Sequence, residues 1–224
     1  RLAQSVRTPV IVITRDQISL TRACVASLER YADQIEIHLV DHGTTYPPML
    51  AYLRYSPHPV HFSGDRPPRE LWSSGVLGTI VGNQPYLVTD HDLVLDDACP
   101  ADWLDQLRVE LNHSPVSVAK IGLGLRIDDL PDTPLAAKVR AWECLFWTSL
   151  NDTGRAYRAP VDTTLALYPP LGRQPGFVLA PALRLNAPYL TRHLPWYGDD
   201  YPEETEHYRT HAIAGSSHWI NGGW

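Results

Sequence analysis

The chain has 224 residues, of which 44% are hydrophobic and 20% are charged, and its formal net charge is -6 at pH 7. This composition supplies enough apolar surface for a core, and it excludes extended disorder. The acidic balance argues against a nucleic-acid partner, because nonspecific binding to phosphates depends on clustered cations. The sequence contains no apolar window of about 20 residues and no basic, apolar leader, which predicts a cytoplasmic protein without a membrane span.

The first part of the chain is predicted to form a strand, a helix and a second strand. Residues 9–13 are an apolar, mainly β-branched run, which is typical of a strand buried on both faces of a parallel sheet. Apolar residues then recur at helical spacing from 20 to 31, with Asp16 or Ser19 as the N-cap. A second strand is predicted over 35–40. The loops after both strands emerge where open α/β sheets bind ligands.

The remaining pattern predicts further helices and strands up to residue 185. These are helices over 47–53, 70–80 and 103–111, and strands over 58–62, 86–89, 116–121, 163–168 and 177–185. Residues 130–158 show no pattern that assigns an element. The segment from Thr191 onward is rich in His, Trp, Asp and Glu and poor in periodicity. It is predicted to be a functional loop or lid, with an ordered terminal extension as the alternative.

An Asp-His-Asp sequence follows the predicted strand over 86–89. Alternate residues at a strand end point the same way, so Asp90 and Asp92 direct their carboxylates toward one volume. His91 then lies on the opposite side of the strand, and it is interpreted as a packing residue rather than a metal ligand. Mg²⁺ and Mn²⁺ prefer oxygen ligands and keep positions open for water and for substrate phosphates. The triplet therefore predicts a site for a hard divalent cation.

The order of these parts resembles the nucleotide-sugar glycosyltransferases of the GT-A fold, particularly family 2-like enzymes. Three segments carry the resemblance, at residues 9–15, 39–45 and 87–93. It implies an α/β, Rossmann-like fold with three α/β/α layers, a mostly parallel central sheet and an irregular C-terminal region on the acceptor side. It also implies one domain, in which residues 1–100 bind the nucleotide sugar and residues 101–224 bind the acceptor and include a C-terminal lid.

The resemblance implies roles for residues on the donor side of the site. Thr14, Arg15 and Asp41 would cradle the nucleobase and ribose of a UDP- or GDP-sugar. Asp90 would face the ribose or a metal-bound water. The alternative for Asp41 is a turn-forming residue before Gly43.

The resemblance also implies a set of metal ligands. Asp92 would be the principal ligand of Mn²⁺ or Mg²⁺, and Asp90 would be its partner. His218 lies where several enzymes of this fold bring a C-terminal histidine to the metal. The alternative for His218 is a solvent-facing or hydrogen-bonded side chain.

The acceptor side is predicted from a short segment near the C-terminus. His193, Trp196 and Tyr197 lie in a run that looks like segments of some bacterial glycosyltransferase-like proteins. Trp196 and Tyr197 could stack on a sugar or an aromatic acceptor, because an aromatic face offers a broad apolar contact. The alternative is a hydrophobic clamp that holds the C-terminal segment.

An inverting transfer needs a carboxylate within hydrogen-bond reach of the acceptor hydroxyl. Asp199 and Asp200 form the acidic pair nearest to the place that the resemblance implies for this base. Asp162 is the rival candidate. The sequence leaves the choice open, and with it the choice between an inverting and a retaining mechanism.

Together these observations predict a metal-dependent glycosyltransferase that moves a sugar from a nucleoside-diphosphate sugar to an unidentified acceptor hydroxyl. A sugar-phosphate nucleotidyltransferase is one alternative, but its glycine-rich phosphate loop is missing from residues 14–17. A noncatalytic domain that binds a nucleotide or a sugar is the other alternative.

Overall fold

The computed structural model describes residues 6–172, 177–198 and 200–211. Within these ranges the chain forms six α-helices and eleven strands. The helices are α1 (Ile18–Glu29), α2 (Pro47–Arg54), α3 (Val76–Val81), α4 (Trp103–His113), α5 (Pro134–Glu143) and α6 (Pro202–His211). The strands are β1 (Thr8–Thr14), β2 (Ile35–Asp41), β3 (Val60–Phe62), β4 (Tyr86–Asp90), β5 (Leu93–Leu95), β6 (Ile121–Gly122), β7 (Gly124–Leu125), β8 (Ala156–Arg158), β9 (Ala166–Tyr168), β10 (Leu183–Leu185) and β11 (Leu190–His193).

Eight of these strands form one mixed sheet in the order β3-β2-β1-β4-β9-β6-β10-β8. The first four strands in this order are mutually parallel. β9 runs antiparallel to both of its neighbours, and β8 runs antiparallel to β10. A smaller sheet has the order β5-β11-β7. The predicted α/β class with a mostly parallel central sheet is therefore confirmed.

The two faces of the central sheet are both covered. Val10 and Val12 of β1 belong to a core cluster with residues of α1, α2 and α4. Ile11 and Ile13, which point the other way, belong to a second cluster with residues of α3. Because both faces are buried, β1 needs apolar side chains at consecutive positions rather than at alternate ones. The predicted arrangement of three layers is confirmed.

Two predicted helices differ from the structure, one in its N-cap and the other in its continuity. The N-cap of α1 is Gln17, so the prediction of Asp16 or Ser19 at this position was wrong. Asp16 instead adopts a φ of 57° and holds the loop that follows β2. The predicted helix over 70–80 is divided into a 3-10 turn (Pro68–Trp72) and α3, because Gly75 between them has a φ of 80°. A left-handed residue cannot continue a right-handed helix.

The predicted strands after α4 are shorter in the structure. The strand expected over 116–121 is reduced to β6, because the Val118 N–H donates to the Pro115 carbonyl and forms a turn. The strands expected over 163–168 and 177–185 are reduced to β9 and β10. Of the residues left outside these strands, Thr163 contacts Asp90 at the end of β4.

The C-terminal segment has more regular structure than its sequence indicates. β11 lies between β5 and β7 in the smaller sheet, and α6 follows it after a 3-10 turn. Of the helices in the described ranges, none has both the length and the apolar character that crossing a membrane requires. The division of the chain at residue 100 into donor and acceptor halves stays a prediction.

Candidate active site

The polar residues predicted on the donor side end three neighbouring parallel strands. Thr14 of β1 is in register with Asp41 of β2, and Ile13 of β1 is in register with Asp90 of β4. The carboxyl ends of parallel strands meet at one edge of a sheet. Thr14, Asp41 and Asp90 therefore lie along the same edge, where ligands bind in open α/β sheets.

Asp90 is held from the side by the segment that precedes β9. Its backbone N–H donates to the Thr163 carbonyl at 2.9 Å, and its Oδ2 accepts a short hydrogen bond from the Thr163 hydroxyl. Burial raises the pKa of Asp90 well above its usual range, and the neighbouring Asp92 and Asp162 carboxylates raise it further. Asp90 therefore retains its proton more readily than a free aspartate does.

Asp92 is paired with a histidine that the sequence placed in another role. His193 Nε2 lies 3.2 Å from Asp92 Oδ2, and the Leu194 N–H donates to the Asp92 carbonyl at 2.9 Å. Burial alone would raise the pKa of Asp92, but His193, together with His91 and a backbone hydrogen bond, lowers it to about 2. Asp92 Oδ1 is buried and has no hydrogen-bond partner among the described residues.

The oxygen atoms of Asp90 and Asp92 suit a hard divalent cation, which prefers carboxylate ligands. The buried Oδ1 of Asp92 has a lone pair to offer, and a cation would also relieve the repulsion between the two carboxylates. The described residues contain no group of three or more His, Cys, Asp or Glu side chains that could hold a metal. His218, the third predicted ligand, lies outside the described residues.

The carboxylate of Asp41 is occupied within its own loop. Its Oδ2 accepts from the backbone N–H groups of Gly43 and Thr44 at 3.2 and 3.1 Å, and its Oδ1 accepts from the Thr44 hydroxyl. Gly43 is at a φ of 87°, and a Cβ there would lie 2.9 Å from the Asp65 Cα. The turn-forming alternative for Asp41 thus accounts for all of these contacts.

We expect the Asp41→Ala substitution to lower the free energy of unfolding by about 1–3 kcal/mol, because it leaves buried N–H groups of the loop without acceptors. Chemical denaturation would measure the change. Asp97→Ala is the control, because the Asp97 side chain is 98% exposed and its ion pair with Arg30 is at the surface. An unfolding free energy unchanged by Asp41→Ala, together with weaker nucleotide binding, would return Asp41 to the role of a direct ligand.

Thr14 and Arg15 lie at the end of β1 and differ in their hydrogen bonding. Thr14 is fully buried, and its Oγ1 has no hydrogen-bond partner among the described residues. The Arg15 guanidinium donates to the carbonyls of His42 at 2.9 Å and His211 at 2.7 Å, and it pairs with Asp65. Arg15 therefore fastens the end of α6 to the loop after β2.

The three residues predicted to contact the acceptor are in unlike surroundings. Trp196 is 3% exposed and packs in a core cluster with Leu93 of β5. This position matches the alternative, in which Trp196 clamps the C-terminal segment. Tyr197 donates its hydroxyl to Asp129 Oδ1 at 2.7 Å, and the His193 ring lies against Trp196 with centroids 4.6 Å apart.

The candidate bases lie in two parts of the chain. The Asp162 residue is exposed, and the residue that follows it, Thr163, is hydrogen-bonded to Asp90. Asp200 is also exposed, two residues before α6 begins. Asp199 lies outside the described residues. The choice of the base stays a prediction.

Helix α6 covers the edge of the sheet at which these residues meet. Glu204 accepts from the Ser19 N–H at 2.9 Å and from the Ser19 hydroxyl at 2.6 Å, so it caps the first turn of α1. His207 Nε2 lies 2.9 Å from the Thr45 hydroxyl. Burial, followed by the charges of Asp92 and Asp90, raises the pKa of the Tyr208 hydroxyl. The helix thus lies over the ends of β1 and of the loop after β2.

We expect Glu204→Gln to loosen α6, because it removes the charge and one of the two acceptors that hold Ser19 at the start of α1. Loss of a cap of this kind costs about 0.5–2 kcal/mol. Limited proteolysis near Gly198 would then be faster than in the unaltered chain. The control is Glu206→Gln on the same helix, where the side chain is 63% exposed and its ion-pair partner among the described residues is Arg209. Equal cleavage rates for the two variants would contradict this role of Glu204.

The sequence interpretation assigned no role in the site to two residues, Lys120 and Asp16. Lys120 is fully buried, although a lysine is among the residues most often exposed. Its position in an apolar segment, as one of two lysines in the chain, was the available signal. Asp16 is also fully buried, and its Oδ1 accepts from the N–H groups of Thr45 and Tyr46. Only the fold reveals that contact.

No protein-family model matches the chain, and no curated protein sequence does. Solved structures that match include residues 1–349 of TarS from S. aureus, with 13% identity, a TM-score of 0.44 and coverage of 73% of this chain and 47% of that one. GalNAc-T7 with UDP, GalNAc and Mn²⁺ matches with 11% identity, a TM-score of 0.45 and coverage of 84% and 43%. The galactosyltransferase LgtC, with donor and acceptor sugar analogs, matches with 13% identity, a TM-score of 0.37 and coverage of 72% and 57%. The chain thus spans about half the length of these structures, and its activity has to be argued from its own site.

Proposed function

We propose that the protein is a metal-dependent glycosyltransferase that uses a nucleoside-diphosphate sugar as donor. The observation that carries the proposal is the position of Asp90 and Asp92 at and just after the carboxyl end of β4. Thr163 is hydrogen-bonded to Asp90, and it places the exposed Asp162 one residue away from a direct partner of Asp90. This edge of the sheet would thereby supply a pair of cation ligands and a candidate base.

Asp90 and Asp92 would hold Mn²⁺ or Mg²⁺, and His218 stays a predicted third ligand. A cation at this position supplies positive charge that stabilises the departing diphosphate. His193 would keep Asp92 in one orientation, since it already contacts Oδ2 and leaves Oδ1 available. Thr163 would do the same for Asp90.

The nucleoside of a UDP- or GDP-sugar would lie at the ends of β1 and β2. The Thr14 hydroxyl would be one of its contacts, since it is buried and has no hydrogen-bond partner among the described residues. Arg15 would contact the donor only after the contact between its guanidinium and the His211 carbonyl opens. Asp41 would act mainly by shaping the loop.

Asp162 would be the base that accepts the proton of the acceptor hydroxyl in an inverting transfer. It is exposed, as a base that meets a second substrate must be, and it precedes Thr163, which is hydrogen-bonded to Asp90. Asp199 and Asp200 are the alternatives. His193 and Tyr197 would line the acceptor side, with Trp196 packed behind them. A retaining mechanism remains the competing stereochemical outcome.

A noncatalytic domain that binds a nucleotide or a sugar is the second candidate function. The specific observation in its favour is α6, which lies over the candidate site and is fastened there by Glu204 and Arg15. A transferase would need this helix to move when the donor enters, in the manner of a lid. A binding domain could keep it in place.

Thermal unfolding with a panel of ligands would test the binding part of the proposal. UDP and GDP are compared with Mn²⁺, with Mg²⁺ and with EDTA. A ligand at 100 times its dissociation constant adds about 2.7 kcal/mol to the free energy of unfolding, which is ample for detection. We expect stabilisation by one nucleotide only when a divalent cation is present. Equal stabilisation in EDTA would contradict the metal site, and no stabilisation by any nucleotide would contradict the donor class.

A further inference from the structure

Lys120 is a fully buried lysine located immediately before β6. Its Nζ donates to the Asp162 carbonyl at 2.9 Å and to the Tyr168 hydroxyl at 2.8 Å. The rings of Tyr168 and Phe177 lie 5.0 and 4.8 Å from Nζ. Within the described ranges no carboxylate lies close enough to form a salt bridge with it. The ammonium group is therefore held by a carbonyl, a hydroxyl and two aromatic faces.

Such a position is costly, because burial removes an ammonium group from water. Burial lowers the pKa of Lys120 to about 7, although the nearby Asp162 and Asp90 carboxylates act in the opposite direction. A methionine would fill a similar volume without this cost. Packing alone therefore gives no reason for a lysine here, and the hydrogen bonds that its Nζ makes are the feature that a methionine could not supply.

The hydrogen bond to the Asp162 carbonyl connects Lys120 with the candidate active site through two further contacts. The next residue, Thr163, accepts the Asp90 N–H at its carbonyl and donates its hydroxyl to Asp90 Oδ2. A continuous chain of contacts thus runs from Lys120 through residues 162 and 163 to Asp90. This series of contacts includes the backbone of Asp162, which carries the side chain of the candidate base.

We infer that Lys120 is a positioning residue, which fixes the Asp162–Thr163 segment and thereby the placement of Asp90 and of the Asp162 carboxylate. This inference rests on the proposed function for its consequence in the reaction. The placement itself is a property of the free protein. Lys120 touches neither substrate nor metal in this account.

The test uses Lys120→Met and a matched control, Tyr168→Phe. The control removes the hydrogen bond between Nζ and the Tyr168 hydroxyl but retains the ring and the bond to the Asp162 carbonyl. The first measurement is the rate of hydrogen exchange of the Asp90 amide in the free protein, which NMR monitors. The second is the affinity for Mn²⁺ with UDP or GDP, measured by calorimetry.

We expect Lys120→Met to speed exchange of the Asp90 amide about tenfold or more, because it removes the donor that holds the Asp162 carbonyl and leaves this acceptor unsatisfied. Affinity for Mn²⁺ with the nucleotide would fall by a similar factor, and Tyr168→Phe would change either quantity less than about threefold. Unchanged exchange of the Asp90 amide in Lys120→Met would overturn the inference. So would an equal effect of Tyr168→Phe.

If Lys120→Met does not fold, Lys120→Gln provides the same test. Its amide is one bond shorter and uncharged, so it cannot make both hydrogen bonds, and faster exchange at Asp90 is again expected. Unchanged exchange in this variant would likewise overturn the inference. If the unaltered protein binds neither Mn²⁺ nor a nucleotide, the proposed function fails, while the exchange measurement still decides whether Lys120 positions Asp90.

Discussion

Asp92→Asn is expected to lower the affinity for Mn²⁺ in the presence of UDP or GDP by more than about 100-fold. Removal of a residue that merely orients a metal ligand already costs 10–100-fold, and Asp92 is proposed as the ligand itself. The amide keeps the size of the side chain but removes the charge and replaces one of the two oxygens. Calorimetric titration of the nucleotide with and without Mn²⁺ would measure the loss.

The matched control is Asp97→Asn, which makes the same chemical change five residues further along the chain. The Asp97 side chain is 98% exposed, so the substitution is expected to leave both stability and Mn²⁺ affinity nearly unchanged. If Asp92→Asn retains the affinity of the unaltered protein and its response to the metal, the metal site at the end of β4 is wrong.

Asp162→Asn is expected to lower kcat by about 10²–10⁴-fold, the usual contribution of a general base, while binding of the nucleotide with Mn²⁺ stays the same. The reason for the separation is geometric, since Asp162 is itself exposed, whereas the next residue, Thr163, is the one that is hydrogen-bonded to Asp90. Release of the nucleoside diphosphate from a UDP- or GDP-sugar, measured by chromatography, gives the rate. Calorimetry gives the affinity.

Asp200→Asn is the comparison that distinguishes the two candidate bases. It makes the same substitution at an exposed residue of the C-terminal segment, two positions before α6. We expect little change in kcat from it. A large loss in Asp200→Asn with full activity in Asp162→Asn would transfer the role to Asp200. Full activity in both would favour Asp199 or a retaining mechanism.

The fold of the first half was predictable because its signals are local. β1 is buried on both faces, and this produces the continuous apolar run at residues 9–13. The alternation of strands with helices of 3.6-residue periodicity then indicates a parallel sheet. The Asp-His-Asp sequence could be found from its place after a buried strand, but only Asp90 belongs to β4, and Asp92 lies in the turn before β5.

The second half was less predictable because its elements depend on partners distant in the chain. β11 forms between β5 and β7, and these short strands have too few residues to display a period. α6 has only two buried residues, Glu204 and Tyr208, among ten. A helix whose contacts are mainly polar gives no apolar stripe to read. The same reason explains why its position over the site was not apparent.

The contacts between side chains within the site could not be predicted from the sequence either. Asp92 and His193 were both singled out, but as a metal ligand and an acceptor contact, and their 3.2 Å contact joins them in one unit. Trp196 was read as a stacking surface, whereas it is almost fully buried. Residue type and spacing indicate which groups carry chemistry, but they do not give the tertiary contacts that assign them to partners.

The most direct measurement of the central claim is turnover of a panel of UDP- and GDP-sugars by the unaltered protein, with Mn²⁺ and with EDTA. Release of free nucleoside diphosphate, with the sugar passed to water or to an added acceptor, would be followed by chromatography. The account predicts release from at least one donor that requires the metal and is lost in Asp92→Asn. Metal-dependent binding of the nucleotide without release from any donor would contradict a transferase and establish a binding domain instead.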